Sequence, residues 1–114
     1  MPVALASRQI GGSPAAVAHL RARFERLARR SGQSARTLFL VLELLGAAGE
    51  AFAVLEKALE LRPNDGTLLL FASVAHARYG RLPFAETLLD RADGRSARVA
   101  WLRCAAELAA IRAD

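Results

Sequence analysis

The chain repeats itself at a single interval. Gly32 and Gly66, Gly46 and Gly80, Ala51 and Ala85, Leu55 and Leu89, and Ala58 and Ala92 are each 34 residues apart. Val54 with Leu88, Glu56 with Asp90 and Lys57 with Arg91 hold similar residues at the same offset. A fixed period of this length constrains architecture before any single segment is judged. Each unit is then one supersecondary element that buries its apolar face by stacking on its neighbours.

The units are helical. Apolar residues make up 54% of the 114-residue chain but aromatics only 6%, so alanine and leucine carry the core. That composition favours close-packed helices. No stretch alternates polar and apolar residues long enough to read as a half-buried strand. The expected fold class is all-α, with about six helices in one domain. Ser34 is a candidate cap for a helix over 34–45, and Gly46 and Gly49 supply the small residues of a tight turn. A second helix over 50–61 stops at Arg62-Pro63-Asn64-Asp65, because proline cannot continue a helix and Asp65 can cap the next. The plan repeats over 67–79 and 83–92, with Gly80 between and Asp93-Gly94 as the exit. A last helix is expected over 96–112. Ahead of the repeats, Ser13-Pro14 opens a helix to about Arg30, with Val17, Leu20, Phe24 and Leu27 as its apolar stripe. Residues 1–12 have no periodicity and are expected to be loose.

Ala51, Leu55, Ala58 and Pro63, followed in the second unit by Ala85, Leu89 and Ala92, resemble the landmarks of the tetratricopeptide repeat family, and "ALELRPND" resembles a typical ending of its second helix. Leu38 fits the family's first-helix leucine, while the family's Trp, Gly and Tyr positions are not matched, and Ala97 stands in place of the second proline. The resemblance divides the chain into a segment 1–12, a basic amphipathic helix 13–31, repeats 32–65 and 66–99, and a closing helix 100–114. It implies a right-handed solenoid of helical hairpins whose first helices line a concave groove. Rows of that groove would be Gln33, Thr67 and Trp101; Arg36, Leu70 and Cys104; Leu40, Val74 and Leu108; Glu43, Ala77 and Ile111. The last helix carries a second stripe, Val99, Leu102, Ala106 and Ala109, on the opposite side. Such a helix expects neighbours on two sides, and the stripe of Trp101, Leu108 and Ile111 is expected to be the unshielded one.

The net charge is +5, and residues 1–36 hold seven arginines against Glu25 alone. Arg23, Arg26 and Arg30 share one helix side and form a candidate basic patch. Stacking aromatics are not interleaved with them, and only one basic residue in the chain is a lysine, which points to arginine over-use along the whole sequence. Cys104 is the single cysteine, so no disulfide forms within one chain, and a reducing, cytoplasmic setting is expected. The N-terminus lacks the apolar run of a signal peptide, and the densest apolar run, 38–45, is far short of the roughly 20 residues that span a bilayer.

Catalytic chemistry has few candidate groups. His19 sits beside the basic stripe, His76 on a small-residue face, and Glu56 with Glu60 and Glu86 with Asp90 recur where a solvated convex face is expected. "GAAG" at 46–49 lacks the strand and lysine of a phosphate loop. No catalytic, cofactor or metal site is expected. The expected function is a non-enzymatic protein-interaction module, adaptor or chaperone-like, that takes an apolar or amphipathic peptide or helix along Arg36, Leu40, Glu43, Leu70, Val74, Ala77, Trp101, Cys104, Leu108 and Ile111. The alternative is a structural or dimerisation segment of a larger bacterial protein. Nucleic-acid binding through the arginine-rich helix ranks third.

Overall fold

A computed structural model describes residues 14–113; the segment 1–12, the Ser13 cap and Asp114 lie outside the described residues. Six helices are described and no strand: α1 Pro14–Leu27, α2 Gln33–Leu44, α3 Ala48–Leu61, α4 Gly66–Arg78, α5 Leu82–Ala92 and α6 Arg98–Ala113. None of them is long and apolar enough to cross a membrane. They fall into two compact units, the first ending at Arg62 and the second beginning at Pro63.

The 34-residue interval is written into the backbone. Gly46 and Gly80 both adopt the left-handed region, at φ 77° and 81°. Each donates its N–H three residues back, to the carbonyls of Glu43 and Ala77, at 3.0 Å in both turns. The following residues, Ala47 and Arg81, donate five residues back to Leu42 and His76, at 2.9 Å in both. They leave the turn with near-identical dihedrals, φ −99° and ψ 55° against φ −101° and ψ 55°. Glycine is needed because a Cβ is penalised in this region, and the two bonds satisfy carbonyls that the helix end leaves free.

In the first unit α2 packs against both α1 and α3. Phe24, Leu38, Phe39, Leu42, Ala51, Leu55 and Ala58 are buried, and the Phe39 and Phe52 rings meet edge to face at 5.0 Å. α1 ends at Leu27, the last residue of its apolar stripe, short of the expected end at about Arg30. Ala28 N still bonds to Phe24 O, and Arg30 N and Ser31 N then both donate to Leu27 O, Arg30 in a tighter turn. Arg62 Nη1 closes the unit by donating to Arg29 O at 2.7 Å. The expected Ser34 cap is corrected: Gly32 is the N-cap, and Ser34 lies one residue inside α2, buried. Gly49 is also helical, within α3, and Gly46 alone carries the turn conformation.

In the second unit α4 packs on α5, and α6 packs on both. Asp65 caps α4, its Oδ1 accepting from Leu68 N at 3.1 Å. Ser73 Oγ, fully buried, donates to Ala85 O at 2.7 Å across the crossing of α4 and α5. α6 starts at Arg98 and not at Ser96, because Ser96 Oγ turns back to Ala92 O at 3.0 Å and finishes α5. Trp101 Nε1 donates to Leu89 O at 2.9 Å, which seats α6 against α5. Arg112 pairs with Glu86 further along the same two helices. The four recurring alanines, Ala51, Ala58, Ala85 and Ala92, are all buried.

Candidate functional site

The first helices were expected to supply the binding surface, and their accessible residues fall into two groups. On α2, Leu40 and Leu44 are 48% and 86% exposed, with Arg36 and Glu43 half-buried beside them. The Nε of Arg36 is buried and has no hydrogen-bond partner among the described residues. On α4 and α6, Val74, Trp101 and Ile111 are half-buried, whereas Leu70, Ala77, Cys104 and Leu108 are core residues. One expected row is brought together within the second unit: Cys104 Sγ lies 3.9 Å from Leu70 O, across the parallel helices α4 and α6. Arg78 reaches Glu107 at 2.8 Å further along the same pair.

Burial on α6 runs opposite to the sequence expectation. Cys104 and Leu108 are inside, Trp101 is tied to α5, and the stripe left bare is Val99, Leu102, Ala106 and Ala109. Both stripes are apolar, so composition did not rank them. The indole N–H did, since it needs an acceptor when half-buried and finds one at the C-terminal end of α5.

A cleft that the sequence did not reveal lies in the first unit between α1 and α3, with a volume of 640 Å³. Phe24, Ala28, Val54 and Leu61 floor it, and Arg21, Glu25, Arg29, Glu50 and Lys57 rim it. Arg21 spans it to Glu50 at 3.4 Å. The signal was present in Phe24 on α1, but nothing in the 34-residue period says that two helices outside one hairpin stand far enough apart to leave a cleft. Arg26 and Arg30 of the candidate basic patch are exposed and Arg23 is half-buried.

The titratable groups divide by surroundings. His76 is half-buried, edge-on to Phe84 at 4.6 Å, with Arg81 Nη1 3.3 Å from its Nδ1. Burial first, and the Arg81 charge second, hold its pKa below the ordinary histidine value. Burial likewise pushes the Cys104 thiol up, opposed by a contact with Ser73. His19 is exposed. Glu86 is committed to Arg112, and Glu60 lies 3.8 Å from Lys57. Among the described residues no three of His, Cys, Asp or Glu are grouped as a metal site.

No protein-family model, no curated protein and no solved structure matches the chain.

Proposed function

We propose that the chain is a helical-repeat interaction module that binds an amphipathic helix of another protein along α4 and α6 of its second unit. The supporting observation is that, within the second unit, Val74 on α4 and Trp101 and Ile111 on α6 keep apolar side chains partly accessible where a solvated helix face carries charge. Such a surface takes the apolar face of a helix through anchors at helical spacing. The net charge of +5 favours a ligand whose remaining face is acidic, which steers encounter and fixes orientation more than it adds affinity.

The test uses the single tryptophan as reporter. Two designed amphipathic helices of about 18 residues, five turns long, share a leucine face and differ in carrying glutamate or lysine on the other. The leucine–glutamate helix is expected to shift Trp101 emission saturably and to keep doing so at high salt. Val74→Glu and Ile111→Glu are expected to weaken it by tenfold or more, which is about 1.4 kcal/mol or greater. Absence of saturable binding, or equal binding by both variants, contradicts the reading. Tighter, steeply salt-dependent binding of a mixed-sequence DNA oligonucleotide, lost on replacing Arg23, Arg26 and Arg30, would move the function to nucleic acid.

A further inference from the structure

The bare side of α6 is the feature that the binding reading leaves unused. Val99 and Leu102 are 61% and 50% exposed, and Ala106, Ala109, Ala110 and Ala113 are exposed on the same side. At 100° per residue these six positions span about a quarter of the helix circumference, directly opposite the buried Cys104 and Leu108. An outward helix face of this length ordinarily carries charge; here Arg98 and Arg103 stand only at its margins.

The repeat register shows how unusual the exposure is. The residues one period before Leu102, Ala106 and Ala109 are Leu68, Ala72 and Ala75 of α4, which are 0%, 0% and 8% exposed. Two periods before Leu102 and Ala106 stand Ser34 and Leu38 of α2, at 3% and 0%. At Leu102 and Ala106 the face is thus covered twice and bare once, while its composition stays that of a covered face.

The order of side-chain sizes along the stripe selects the occupant. Large residues lie at the N-terminal end, Val99 and Leu102, and alanines fill the C-terminal end, Ala109, Ala110 and Ala113. A parallel partner would set large against large and small against small. An antiparallel copy related by a two-fold axis at Ala106 sets Val99 opposite Ala113 and Leu102 opposite Ala110, with Ala106 facing its own counterpart. Each large side chain then meets a small one, and the helices approach closely at the axis, as a self-complementary contact requires. We propose that the chain self-associates through α6, forming a two-fold dimer in which Val99, Leu102 and Ala106 of one copy pack against Ala113, Ala110 and Ala106 of the other. One helix pair is a small interface, so the dimer is reversible and concentration-dependent. It uses the side of α6 opposite to Trp101, Cys104 and Leu108, and therefore stands or falls separately from the ligand reading.

Sedimentation equilibrium from about 1 µM to about 1 mM covers the range over which a small interface dissociates. The expected result is a mass rising from 12.2 kDa towards twice that value. Leu102→Glu and Ala106→Glu should each hold the mass at the monomer value over the whole range, with helix content by circular dichroism unchanged because both sites are exposed. In a second arm, Ala106→Cys should form a covalent dimer under a mild thiol oxidant, and Ala100→Cys, off the stripe, should not. A wild-type monomer throughout, a dimer that survives both glutamate variants, or equal cross-linking at 100 and 106 would overturn the proposal.

Discussion

Gly66 and Gly49 are both helical, yet they tolerate opposite things. Gly66 opens α4 with the backbone of Arg95 and Ser96 lying where its Cβ would stand, and Gly49 has nothing within 4 Å of that point. Replacement of a helical glycine by alanine gains up to about 1 kcal/mol from propensity where space allows. Gly49→Ala should therefore raise the urea midpoint, and Gly66→Ala should lower it, because the loop between α5 and α6 must move. The 34-residue pairing of Gly66 with Gly32 marks its place but not this reason, since the close approach comes from a loop 29 residues further on. His76 makes a second residue-scale prediction. Its folded pKa lies below the unfolded value of about 6.5, so the fold disfavours the charged form. Its contribution is complete above that pH and is lost as pH falls through the lowered value. Stability should thus decline below pH 6.5 by an amount that His76→Gln removes, and an unchanged acid limb in that variant would show that His76 is not the group responsible.

At the scale of elements, the helix positions were legible because glycine, proline and aspartate interrupt the apolar pattern at Gly46, Pro63-Asp65, Gly80 and Gly94. Boundaries departed from expectation where a serine had two uses. Ser34 sits inside α2 because Gly32 already makes the entry, and Ser96 finishes α5 with its hydroxyl before α6 begins. The inward side of α6 was not legible, since two apolar stripes compete and the deciding bond, Trp101 to Leu89, joins separate helices. The alanines at 51, 58, 85 and 92 were legible as close-packed positions, and all four are buried. Leucine at any one of them should overpack its unit and cost about 1 to 3 kcal/mol by urea denaturation. Asp65→Ala should cost about 1 kcal/mol, the usual loss when an N-cap acceptor is removed. Retention of full stability by leucine at both Ala85 and Ala92 would count against the assigned crossing of α4 and α5.

For the whole molecule, the 34-residue interval predicted a helical-hairpin architecture, and the two glycine turns repeat in geometry to within a few degrees of φ. A list of groove residues was harder to read from period alone, because period fixes which residues are equivalent and not which are covered. Leu40 and Val74 remain accessible one interval apart, while Leu108, the next in that series, is core. The central claim is that the partly accessible apolar residues of α4 and α6 in the second unit receive an amphipathic helix, and amide chemical-shift mapping tests it residue by residue. On titration with the unlabelled leucine–glutamate helix, the largest shifts are predicted at Val74, Trp101 and Ile111, with α1 unmoved. Shifts gathered instead on Arg23, Arg26 and Arg30, or in the cleft between α1 and α3, would contradict the account.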